Sequence, residues 1–147
     1  MLGKLFEGFK KEEPKDEAAS VPRALAALLV EAARADEDYT DAERAVIDRV
    51  LERRFSMSRD EARTTRIEAE TDQAEASDLY GFSHVVRDGL DREGKLGLIE
   101  DMWRVVLTDE TRDPFEEQVI RRLVGLLHLE DTDSTTARRR AEAASRP

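Results

Sequence analysis

Residues 29–50 read LVEAARADEDYTDAERAVIDRV, and residues 102–123 read MWRVVLTDETRDPFEEQVIRRL. When the chain is shifted by 73 residues these two stretches align, and six of the 22 aligned positions are identical. Each stretch reads as an apolar helix, an aspartate, a short polar turn and then a capped apolar helix. We therefore predict an internal helix-loop-helix pseudo-repeat.

Signals for the start of a helix recur along the whole chain. Reciprocal capping boxes begin at Thr40 and Ser58, because each is followed three residues later by a glutamate. Asp113 combines a capping side chain with a proline at the first helical position and a glutamate three residues on. No segment shows the alternating pattern of a strand. The sequence predicts an all-α fold, a compact bundle of about six to seven helices.

The apolar positions predict which faces are buried. A first helix ending near Ala35 should bury Leu25, Leu28, Leu29 and Ala32. A third helix, from Ser58 to about Asp72, is weakly apolar and should be peripheral. Trp103 lies at helical spacing with Ile99 and Val106, which indicates a core residue. A last helix should run from about Ser134 to Ala144, and the sixth should bury Phe115, Val119, Ile120, Leu123 and Leu127.

At 147 residues the chain is expected to form one domain. Residues 10–20, KKEEPKDEAAS, are charged and contain a proline, so we assign residues 1–20 to a tail and linker and residues 21–147 to the domain. Within residues 2–9, the apolar side chains share one helical face. The charged residues beside them favour docking or fraying over a peripheral membrane contact.

The composition excludes several classes of protein. A net charge of −10, with 34 acidic against 24 basic residues, disfavours nucleic-acid binding. The chain has no cysteine, which excludes disulfides, thiolate zinc sites and cysteine nucleophiles. No apolar run approaches the roughly 18 residues of a membrane span, and the N-terminus lacks the apolar core of a signal peptide. By elimination we expect a cytoplasmic protein.

No catalytic arrangement is recognisable. A carboxylate-bridged di-iron bundle needs Glu-x-x-His pairs, but Gly81 and Gly125 stand at that spacing before His84 and His128. No glycine-flanked nucleophile motif is present either. We expect that the protein is not an enzyme.

The two acidic turns suggest a metal site, because carboxylate oxygens are the donors that Ca²⁺, Mg²⁺ and Mn²⁺ prefer. The first turn is not an EF-hand loop, since Asp41 and Ile47 occupy the positions of its glycine and its last glutamate. Capping alone accounts for Glu43, Asp113 and Glu116. Asp36 and Asp109 each follow a helix and are less well explained in this way. The candidate ligands are Asp36, Glu37, Asp38, Glu43, Asp109, Glu110, Asp113 and Glu116.

The doubled unit resembles the TerB-like tellurite-resistance family. The stretch from Ala35 to Arg44 is similar to the first copy of the family motif, residues 102–117 are similar to the second, and residues 79–82 are similar to the middle segment. The usual glycine after each aspartate is replaced by Glu37 and Glu110, which removes a residue suited to a left-handed turn and adds a carboxylate.

This resemblance implies an all-helical domain connected with bacterial tellurite and stress resistance; the N-terminal domain of a membrane-anchored co-chaperone belongs to the same superfamily. It implies either metal binding through clustered acids or an adaptor function. Two hypotheses follow: an acidic helical module that binds a divalent cation, or an adaptor without metal that docks a protein partner in a membrane-associated complex.

Overall fold

A computed structural model describes residues 21–35, 37–108 and 114–144. Residues 21–34 form the described part of the first helix, α1. The helices that follow are α2 (Asp41–Phe55), α3 (Arg59–Glu75), α4 (Tyr80–Gly89), α5 (Arg92–Leu107), α6 (Pro114–Leu126) and α7 (Asp131–Ala144). The described residues contain no strand, so the predicted all-α bundle of six to seven helices is confirmed.

The first helix is the most deeply buried. Leu25, Leu28, Leu29 and Ala32 are fully withdrawn from solvent, as the apolar spacing predicts. Burial also extends around most of the rest of the helix, where residues 24–30 and 32–33 all belong to the core. Only one stripe of the helix, with Arg23, Glu31 and Arg34, is polar and partly exposed. A helix that is apolar around most of its circumference requires neighbours on most sides. The first helix is thus central to the bundle rather than one of its walls.

The fifth helix is the second main component of the core. Among the helices from α2 to α7, it packs most extensively against α7 and also contacts α2 and α6. Trp103 is 6% exposed, as predicted, and its indole nitrogen donates a 3.1 Å hydrogen bond to the Ser134 hydroxyl on α7. The hydrogen bond satisfies the one polar atom of the ring, so burial of the indole carries little cost.

Local capping chemistry sets the helix starts. At Thr40 and Ser58 the side chain accepts from a backbone N–H three residues later, and the glutamate there accepts in return, so both capping boxes are confirmed. Asp91 also caps α5 by accepting from the backbone of Gly94. The seventh helix begins at Asp131, three residues before the predicted start.

Two predictions about burial need correction. Phe115 is 63% exposed, although helical spacing assigned it to the core. It is the second residue of α6, and the apolar stripe of that helix reaches the core only from Val119 onward. The third helix is less peripheral than predicted, because its contacts with α2 bury Ala62, Arg66 and Ala69.

Within the described residues no helix is both long and apolar enough to cross a membrane. The predicted tail and linker, residues 1–20, lie outside the described residues, as does the amphipathic segment 2–9.

Candidate functional site

The first acidic turn joins α1 to α2 and contains a left-handed backbone. Glu37 has a φ of 65°, and its N–H donates a 2.9 Å hydrogen bond to the carbonyl oxygen of Arg34. This conformation ordinarily favours glycine. The left-handed turn therefore persists although a glutamate occupies the position where glycine was expected, and the Glu37 side chain is exposed.

Tyr39 anchors this turn to the bundle. Its hydroxyl donates a 2.6 Å hydrogen bond to Glu70 Oε2 on α3. The guanidinium carbons of Arg34 and Arg44 lie 5.1 and 4.2 Å from the centre of its ring, within the range of cation–π attraction. Burial, and then the hydrogen bond to Glu70, raise the pKa of the Tyr39 hydroxyl well above its ordinary value. Tyr39 thus remains a donor across the physiological range.

Glu70 is the centre of a charged network between α2 and α3. Arg66 Nη1 donates to Glu70 Oε2 at 2.9 Å, and Arg66 Nε donates to Asp48 Oδ1 at 2.6 Å. Burial by itself raises the pKa of Glu70, but hydrogen bonds from Tyr39 and Arg66 and the nearby arginine charges outweigh it and leave the pKa below its usual value. The network allows Arg66, 8% exposed, to remain buried and charged.

Glu43 begins α2 and is completely buried, at 0% exposure. Its Oε1 accepts a 2.8 Å hydrogen bond from the backbone N–H of Thr40. The capping interpretation of Glu43 is therefore correct. Capping does not by itself require complete burial, however, because Glu61, the capping glutamate of α3, is exposed.

The second half of the chain repeats this burial. Glu116, the repeat equivalent of Glu43, lies in the first turn of α6 and is also at 0% exposure. Its helix and that of Glu43 both pack against α5. The pseudo-repeat thus places one buried carboxylate at the beginning of a helix in each half of the protein.

The eight predicted ligands fall into three groups. Glu37 and Asp38 are exposed in the first turn, and Glu43 and Glu116 are buried. The other four, Asp36, Asp109, Glu110 and Asp113, lie outside the described residues. Among the described residues, no three acidic or histidine side chains form a group that could hold a metal ion.

The sequence does not predict that two charged residues of α3, Arg66 and Glu70, contact α2 and the first acidic turn. Glu70 follows Tyr39 by 31 residues and Arg66 follows Asp48 by 18, and no local pattern indicates that these pairs meet. The sequence does hint at the ion pair between Arg66 and Glu70, because the two residues are four positions apart in a helix.

A third buried carboxylate, that of Asp101, lies on α5. Asp101 is 1% exposed and accepts hydrogen bonds from Arg54 Nε at 2.5 Å and Arg53 Nη2 at 3.2 Å. Burial raises the pKa of Asp101 despite these two guanidinium groups. Gly97 makes room for the pair, since a Cβ there would collide with the Arg54 guanidinium. These contacts fasten the end of α2 to α5.

The family model described as tellurite resistance protein TerB matches residues 22–139. No curated protein and no solved structure gives a match to the chain. The matched range includes both acidic turns, both buried glutamates and the helices that carry them. Since that range covers most of the chain, the protein belongs to the TerB family of tellurite resistance proteins.

Proposed function

We propose that this TerB-family protein is a non-enzymatic module that binds a divalent cation through the carboxylates of its paired acidic turns. The observation that supports the proposal is the complete burial of Glu43 and Glu116 at equivalent positions of the repeat. Among the described acids only Glu43, Asp101 and Glu116 are buried, so burial of the same glutamate in both halves points to a shared requirement.

The donors favour a hard cation. Carboxylate oxygens bind Ca²⁺, Mg²⁺ or Mn²⁺ in preference to softer metals, and this chain has no cysteine to hold a soft one. Glu37 adds an exposed carboxylate on a left-handed backbone, in a turn that Tyr39 fixes to α3. The proposed ligands are the eight acids of the two turns, and by their place in the sequence Asp36 and Asp109 are the ones that capping explains least well.

Thermal unfolding tests the proposal. The full chain is melted in Ca²⁺, Mg²⁺, Mn²⁺ or Zn²⁺ and in chelator, because a ligand that binds only the folded state raises Tm. We expect a rise for one of the three hard cations. The variants Asp36→Ala and Asp109→Ala should lose that rise. Asp60→Ala, which removes an exposed acid from the first turn of α3, should keep it.

An unchanged Tm in every cation at millimolar concentration would exclude the cation site. So would an equal rise in the parent and in both turn variants. Either result would leave the adaptor hypothesis as the function to pursue.

A further inference from the structure

A groove lies between α2 and α7, and none of the eight proposed cation ligands lines it. Its volume is about 490 Å³, and the C-terminal part of α5 lines it between the two helices. Small side chains form its walls: Ala42 and Ala45 on α2, and Ala141 and Ala144 on α7. Small residues of this kind allow another backbone to approach closely.

Three arginines give the groove its charge. Arg49 and Arg53 on α2 and Arg104 on α5 all line it, and none of the described residues lining it is acidic. The chain as a whole carries a net charge of −10. A local excess of positive charge on an acidic protein favours binding of a complementary, negatively charged partner.

These arginines retain capacity for a further acceptor. Arg49 is exposed and makes no ion pair with a described residue. Arg53 shares the carboxylate of Asp101 with Arg54. Arg104 Nη2 donates to Glu100 at 2.8 Å, and 31% of the Arg104 side chain remains exposed. A carboxylate of a bound partner could therefore accept hydrogen bonds from guanidinium N–H groups that have no acceptor among the described residues.

The dimensions of the groove fit a helix. The α2 residues that line it run from Ala42 to Arg53, a distance of about 16 Å or three helical turns. Its apolar floor and walls include Val46, Val50 and Leu107. Amphipathic helices bind grooves of this type through apolar side chains one turn apart. A nucleic acid or an anionic membrane is less suitable, because the net charge of the whole protein repels an extended anionic surface.

We propose that the groove binds an acidic amphipathic helix of a partner protein, with its apolar stripe against α2, α5 and α7 and its carboxylates on Arg49, Arg53 and Arg104. This interaction surface begins beside the acidic turns, at Ala42 and Thr108, but none of its lining residues is a proposed cation ligand. It therefore does not depend on cation binding, and each proposal can fail without the other.

The probe for this proposal is a fluorescently labelled synthetic helix of roughly 18 residues, about five turns, with leucine and alanine on one face and glutamate beside it. Binding to the full chain is measured by fluorescence anisotropy. Arg49→Glu places like charges together and should weaken binding by more than about tenfold. Ala45→Trp, which fills the groove from a half-buried position without changing charge, should weaken it as strongly.

The matched control is Arg63→Glu, which makes the same change at an exposed position of α3 that does not line the groove. It should bind as the parent does, and circular dichroism should show all variants folded. A peptide with lysine in place of glutamate should not bind the parent. Absence of saturable binding, or equal binding by the parent and both groove variants, would overturn the proposal.

Other possible occupants of the groove would give different experimental results. If the double variant Phe6→Ser, Phe9→Ser creates peptide binding that the parent lacks, the chain's own N-terminal segment fills the groove and the proposal is wrong. It is equally wrong if sedimentation shows a dimer that Arg49→Glu dissociates. Binding of phosphatidylglycerol vesicles that Arg49→Glu abolishes, without peptide binding, would assign the groove to a membrane instead.

Discussion

The Tyr39 hydroxyl and Glu70 Oε2 lie 2.6 Å apart, although 31 residues separate them in the chain. This hydrogen bond ties the turn that follows α1 to the middle of α3. The shape of the first acidic turn therefore depends on a residue far outside it.

Tyr39→Phe removes only the hydroxyl of this link. We expect the free energy of unfolding, measured by urea denaturation, to fall by about 1–2 kcal/mol, since a half-buried charged acceptor loses one donor. Tyr80→Phe is the matched control, because Tyr80 is 59% exposed, and it should change stability by less than about 0.5 kcal/mol. A similar loss of unfolding free energy in both variants would show that the Tyr39 hydrogen bond does not contribute to stability.

Glu70→Gln should make stability depend differently on pH. The pKa of Glu70 is lowered in the folded state, so its contribution is present above the unfolded pKa of about 4.3 and is lost as pH falls through the folded pKa. At pH 7 the variant should be less stable than the parent by about 1–3 kcal/mol. Below about pH 4.3 the two should converge. Denaturation across this range checks the prediction, and a difference that does not vary with pH would contradict it.

Gly97→Ala should separate Arg54 from Asp101. A Cβ at this position collides with the Arg54 guanidinium, and displacement of that group leaves a buried carboxylate with one donor fewer. We expect a net loss of about 1–2 kcal/mol, after the gain in helix propensity is subtracted. The loss should shrink in an Asp101→Asn background, which a double-mutant cycle measures.

Gly125→Ala provides the control for that change. Nothing lies within 4 Å of a Cβ added at Gly125 on α6, so only helix propensity acts, and stability should rise by about 0.5–1 kcal/mol. If the Gly97 variant were stabilised to the same degree, Arg54 would have moved aside without cost.

Glu37→Gly tests the left-handed residue of the turn. The φ of 65° is strained for glutamate, and relief of that strain should exceed the entropy cost of glycine, with a net gain of about 0–1 kcal/mol. Ser56→Gly is the control, since Ser56 has a φ of 53° outside the turn. Both variants should keep or gain stability, but only Glu37→Gly should reduce the rise of Tm with cation. An unchanged cation response would remove Glu37 from the proposed ligands.

Local chemistry explains which parts of the fold could be predicted. The starts of α2 and α3 depend on side chains within four residues of each other, so Thr40 and Ser58 were sufficient to identify them. Burial of α1 follows equally from its dense apolar composition. The prediction for Phe115 was wrong because apolar spacing does not show where the neighbouring helices end. A side chain at the start of a helix can fit the spacing and still lie beyond those neighbours.

The polar interior could not be predicted in the same way. Arg66 is buried because Asp48 on α2 pairs with it beside Glu70 of its own helix, and sequence spacing does not specify the contact with Asp48. Likewise, capping explains why glutamate occurs at positions 43 and 116 but does not predict that both are fully buried. Long-range packing decides burial, whereas caps depend on neighbours in the chain.

The extensive burial of α1 has a consequence for biosynthesis. Arg23 bonds to Asp72 on α3, and Val21 lies against Gly89 at the end of α4. During translation these partners leave the ribosome after α1, so its apolar surface stays uncovered until they follow. We expect the exposed apolar helix of the nascent chain to be prone to aggregation or chaperone binding until the later helices pack around it.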